Sequence, residues 1–134
     1  MFQVTRIIHF CYGHRLLNYP GKCRHPHGHN GKIEIVLGAK NLDPLGMVAD
    51  FEKIKKTIQS WVDMELDHRM ILHEKDPMAR VFKELGEPCL LLPANPTAEN
   101  IARLIFEYAQ NQKLPVLEVR LWETPHSFAS YRGK

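Results

Sequence analysis

The hydrophobic patterning predicts an α+β domain: a four-stranded antiparallel sheet covered on one face by two helices, in the order ββααββ. Three observations carry that expectation. Apolar residues alternate with period two near the start of the chain, recur at helical spacing in the middle, and alternate again near the end. At 134 residues the chain is long enough to bury one core, so 1–134 is expected to form a single domain.

The first strand is read from Phe2, Val4, Ile8 and Phe10, which alternate with Gln3, Thr5 and His9, and it is expected to end near Phe10. A second strand follows at KIEIVLGAK, closed by the turn formers Asn41, Asp43, Pro44 and Gly46. Next, DFEKIKKTIQSWVDMEL spaces Phe51, Ile54, Ile58, Trp61, Val62 and Leu66 along one helical face, with Asp50 as its cap. Residues 73–94 read as a short helix and loop. A second long helix starts at NPTAEN, where Thr97 caps and Ile101, Leu104, Ile105 and Tyr108 form the buried stripe. VLEVRLWET and SFASYR supply the last two strands. Such a sheet leaves two bare edges, which edge-to-edge assembly of subunits would cover.

Composition narrows the function classes. Hydrophobic content of 44% and charged content of 25% are those of an ordinary globular protein. No apolar run approaches the roughly 18 residues of a membrane helix, and no signal-peptide core opens the chain, so the expected compartment is the cytoplasm with no membrane partner. Eighteen basic and 15 acidic residues are spread without a basic block, which argues against a nucleic-acid partner. The odd cysteine count, Cys11, Cys23 and Cys89, favours free thiols or metal ligands over a disulfide framework.

The densest chemistry lies in GKCRHPHGHNG, residues 21–31. His27 and His29 are two apart and project from one side of an extended chain, and His14 at the end of strand one can close a three-nitrogen zinc site with an open position. A closed structural site made of Cys11, His14, Cys23 and one of His25, His27 or His29 is the rival, although its thiols lack the short knuckle spacing such sites take. Cys23 sits between Lys22 and Arg24, which favour the thiolate and make it a candidate base. Asp67 and His68 place a carboxylate beside an imidazole that could shuttle protons. Glu123 continues the inward face of Leu117, Val119 and Leu121, where a carboxylate is costly unless it binds something or pairs in an internal salt bridge.

These residues resemble a known family. HxxGHRL at 9–16, CRHPHGH at 23–29, GMVADF at 46–51, LDHR at 66–69, NPTAEN at 95–100 and the ET pair at 123–124 are similar, in order, to motifs of the 6-pyruvoyl- and 6-carboxy-tetrahydropterin synthases. The resemblance implies the tunnelling fold, subunits assembled as homo-oligomers (trimers or hexamers), and zinc held by His14, His27 and His29. It implies a pterin triphosphate substrate, 7,8-dihydroneopterin triphosphate, with Cys23 as general base, Asp67 and His68 as a proton relay, and Glu123 with Thr97 binding the pterin. The activity implied is conversion to 6-carboxy-tetrahydropterin, a deazapurine (queuosine) precursor; the alternatives are the 6-pyruvoyl product or a non-catalytic pterin-binding module. Three positions depart from the family pattern: Tyr12 replaces a small residue, Gly31 an aromatic and Leu72 an asparagine.

Overall fold

A computed structural model describes residues Met1–Lys134. Two long strands, β1 (Phe2–His14) and β2 (His27–Ala39), pair antiparallel along their whole length, from Phe2 opposite Ala39 to His14 opposite His27. Both are longer than the sequence pattern suggests. Residues 10–14 keep the alternation, with Phe10, Tyr12 and His14 buried and Cys11 exposed, but a tyrosine and a histidine stand at the inward positions. Polar residue types hid the period there.

The helix after Asp50 runs as α1 (Phe51–Ile54), a π-helical turn (Lys55–Gln59) and α2 (Ser60–Glu65) without a break. The Asp50 carboxylate accepts from the Glu52 N–H, which satisfies one of the donors a helix start leaves free. Its Ile54, Ile58 and Val62 are fully buried in one core cluster with Ile8, Ile33, Ile35 and Leu121 of the sheet. Truncating Ile58 to alanine would cost about 2–5 kcal/mol, the range for a buried aliphatic side chain. The other long helix, α4 (Ala98–Asn111), packs Ile101, Ile105 and Phe106 into the same core. Both therefore lie on one face, as expected.

The sheet itself differs from expectation: it has six strands, in the order β4-β3-β1-β2-β5-β6. The antiparallel set β1, β2, β5 (Val116–Thr124) and β6 (Ser127–Tyr131) matches the four expected strands. Added to the β1 edge are β3 (Arg69–His73) and β4 (Cys89–Leu92), parallel to one another and to β1. Each is a short apolar run with no alternation, a pattern that cannot be told from a buried loop or helix end. Between them stands α3 (Pro77–Leu85), capped by Asp76 and ended by Gly86 in the left-handed region that favours glycine. Asp76 is fully buried and also takes the Arg15 guanidinium in a two-point ion pair, fixing the end of β1 to the start of α3.

Candidate functional site

Strand pairing alone brings the histidines together. His14 sits opposite His27, and Tyr12 opposite His29, so all four side chains leave the sheet on the face that carries the core. The ring nitrogens of His14, His27 and His29 lie within 4.8 Å of one another. The group that converges is three imidazoles and no thiol, which removes support from the closed Cys/His site.

Two of the three rings are oriented by main-chain carbonyls. His14 Nδ1 lies 2.7 Å from the Pro96 oxygen and His27 Nδ1 lies 2.7 Å from the His25 oxygen. A carbonyl only accepts, so both Nδ1 atoms carry the proton and Nε2 is left as the accepting nitrogen of each ring. A carbonyl on the far nitrogen is the arrangement that metal-ligating histidines use to fix tautomer and direction. His29 Nε2 lies 3.1 Å from His14 Nε2 and 3.1 Å from the Glu123 carboxylate. Burial, above all, pushes His14 below its ordinary value, opposed by the Pro96 carbonyl and the charge of Glu123. Burial likewise lowers His29 against the pull of Glu123. Three imidazole nitrogens gathered this closely suit a divalent metal such as zinc.

The motif NPTAEN builds the support for His14. Asn95 clasps Leu17 in both directions, accepting from its N–H at 2.8 Å and donating to its carbonyl at 3.0 Å. Pro96 presents its oxygen to His14, and Thr97 caps α4 by accepting from the Asn100 N–H. Sequence reasoning reads this stretch as a helix start and as a family motif, not as a support for His14. Its role in orienting His14 depends on a contact 82 residues away along the chain.

Asp67 and His68 form a second cluster beside β1. Asp67 accepts from the Cys11 N–H at 2.9 Å and from His68 Nδ1 at 2.8 Å, which leaves His68 Nε2 outward. Burial tends to raise the Asp67 carboxyl, but the Cys11 N–H and the His68 ring outweigh it and hold it below its ordinary value. His68 has φ 58°, in the left-handed region, and its own N–H donates to the Cys11 carbonyl at 2.7 Å. A cavity of about 530 Å³ is lined by His68, Cys11 and Phe82 together with His27 and His29.

Cys23 lies on a single 3-10 turn (Lys22–Arg24), partly exposed, with its carbonyl accepting from the Leu16 N–H. Glu123 points to the core face beside His29, as its place in the β5 alternation predicts. Leu72 is fully buried in β3 and does not line the cavity. Tyr12 stands against the site: its ring centroid is 5.2 Å from His14 and 5.6 Å from His29. Burial, and secondarily the charge of Glu123, raise its phenol far above the ordinary value, so it stays protonated.

Comparison with known proteins adds a lineage to this geometry. Residues 3–134 match the family model described as 6-pyruvoyl tetrahydropterin synthase. The chain belongs to that family. It is 40% identical to the 6-carboxy-5,6,7,8-tetrahydropterin synthase of Rickettsia bellii, covering 96% of this chain and 98% of that one. It is 30% identical to the enzyme of the same name from Haemophilus influenzae, covering 98% and 99%. Among solved structures, the 6-pyruvoyl tetrahydropterin synthase of Caenorhabditis elegans superposes with a TM-score of 0.75 at 27% identity, over 99% of this chain and 96% of that one. The tunnelling fold expected of the family is thus the fold found, with two further strands at one edge of the sheet. No helix is long and apolar enough to cross a membrane.

Proposed function

We propose that this family member is a zinc-dependent lyase that converts 7,8-dihydroneopterin triphosphate to 6-carboxy-5,6,7,8-tetrahydropterin, releasing acetaldehyde and triphosphate. The observation that carries the reading is the convergence of His14, His27 and His29 beside Glu123, with two of the rings already locked in a ligating tautomer. Relatives named for the carboxy product at up to 40% identity favour it over the pyruvoyl product.

In this reading His14, His27 and His29 hold zinc, which supplies Lewis-acid polarisation of the side-chain oxygens of the substrate. Cys23, flanked by Lys22 and Arg24, serves as the general base that takes a proton from the pterin side chain. His68, with Nδ1–H fixed by Asp67, moves a second proton through its outward Nε2 into the cavity that His27 and His29 also line. Glu123 accepts the paired N–H groups of the pterin edge, with Thr97 alongside. The Glu123 carboxylate lies 3.1 Å from His29 Nε2, which keeps it beside the imidazoles where a pterin edge would bind.

Three free thiols suit a reducing cytoplasm, and the bare edges β4 and β6 suit assembly of subunits edge to edge as trimers or hexamers. The deciding test is to incubate the zinc-loaded protein with 7,8-dihydroneopterin triphosphate and identify products by mass spectrometry. Carboxy-tetrahydropterin and acetaldehyde are expected, and no turnover would remove the proposal. Cys23→Ala should keep its zinc and lose turnover about 10²–10⁴-fold, the range for a general base.

A further inference from the structure

Tyr12 and Gly31, two of the positions that depart from the family pattern, explain each other. Strand register places Phe10 opposite Gly31 and Tyr12 opposite His29, so Gly31 is diagonal to Tyr12 on the same face. A Cβ at residue 31 would come within 2.8 Å of Phe10 Cε1 and 3.1 Å of Tyr12 Cε1. The two rings stack with centroids 5.0 Å apart across the space that a side chain at 31 would need. An aromatic has in effect moved from β2 to β1, and the glycine makes room for it.

The move brings a hydroxyl with it. Tyr12 is only 3% exposed, and its Oη has no hydrogen-bond partner among the protein's own groups. A phenol donor buried unpaired costs free energy unless something entering the site accepts from it. Its ring flanks His14 and His29, two of the three converging imidazoles. We infer that Tyr12 is a positioning residue whose hydroxyl donates a hydrogen bond to an oxygen of the ligand side chain held at the imidazole site, with Gly31 seating the ring that carries it. The inference rests on the pterin reading above and adds a contact to the hydroxylated side chain rather than to the ring.

The test compares zinc-loaded wild type with Tyr12→Phe, which removes one oxygen and keeps the ring stack, using two unreactive probes: neopterin, whose side chain carries hydroxyls, and 6-methylpterin, whose side chain carries none. Tyr12→Phe should keep its zinc, bind neopterin about tenfold more weakly and bind 6-methylpterin as wild type does. Unchanged neopterin affinity, equal losses for both probes, or loss of zinc would each overturn the inference while leaving the pterin reading intact. Wild type that binds neither probe would overturn that reading and the inference with it. As a check on the steric half, Gly31→Phe alone should lower Tm by several degrees, and Tyr12→Ala added to it should restore most of the loss without restoring selectivity for neopterin. A swap that fails to recover Tm overturns the seating role of Gly31.

Discussion

Each face of the sheet carries a polar cluster, and the two are finished differently. On the face away from the long helices, Glu118 accepts from Arg120 Nε at 2.8 Å and Nη2 at 3.2 Å, from the Ser130 hydroxyl, and pairs with Arg132. Glu34 takes Arg120 Nη1 at 3.3 Å and the Trp122 indole N–H at 3.1 Å. That network answers its charges within the chain. On the core face, the ring nitrogens of His14, His27 and His29 gather within 4.8 Å of one another and the Tyr12 hydroxyl is unpaired. Both clusters are partly buried and polar, so polarity alone does not mark a site. Unanswered hydrogen-bonding and ligating capacity does, because burying it costs free energy that only a ligand recovers.

The contrast breaks most sharply if the open cluster is emptied. His29→Ala should drop bound zinc from about one per chain to near none and lower turnover on the order of a thousandfold, read by metal analysis and product formation. The fold should survive, because the core beneath is built from Ile8, Ile33, Ile58, Ile105 and their neighbours without the ion. An unfolded circular-dichroism spectrum for that variant would mean the site is structural.

A smaller effect is expected from breaking the closed cluster. Arg120→Ala should destabilise by about 1–3 kcal/mol in a denaturant titration, a figure reduced because Arg120 is about a third exposed, and should leave zinc binding alone. The same network sets an acid limit. Arg120 above all, helped by Ser130 and Arg132 and opposed by burial, holds the Glu118 carboxyl at about 2, against an ordinary 4.5. A depressed carboxyl stabilises fully above its unfolded value, so this contribution should be intact above about pH 4.5 and decline as pH falls toward 2. Arg120→Ala should flatten that part of the stability profile, as measured by Tm against pH.

The finest test of the difference touches neither cluster directly. Asn95→Ala removes the clasp on Leu17 that fixes the segment from which Pro96 orients His14. Zinc affinity should fall about tenfold, as for other outer contacts of metal ligands, with the Glu118 network unmoved. A competition titration against a chelator measures it, and an unchanged affinity would show that His14 is held by packing alone.

Much of this was legible in the residues. Period-two and helical spacing located β1, β2, β5, β6 and the two long helices, because a half-buried strand and an amphipathic helix must repeat their apolar residues at their own pitch. Asp50 and Thr97 announced the helix starts, since a side-chain oxygen there meets an otherwise unpaired N–H. His27 and His29 announced a shared direction through their spacing. What only the tertiary structure decided was everything carried by pairing at a distance. The strands β3 and β4 exist because β1 offers an edge to short apolar runs that have no period of their own. His14 faces His27 through register, and the Pro96 carbonyl reaches it across 82 residues of chain. The exchange between Tyr12 and Gly31 is visible only where two strands lie side by side, because volume is conserved in space and not along the sequence.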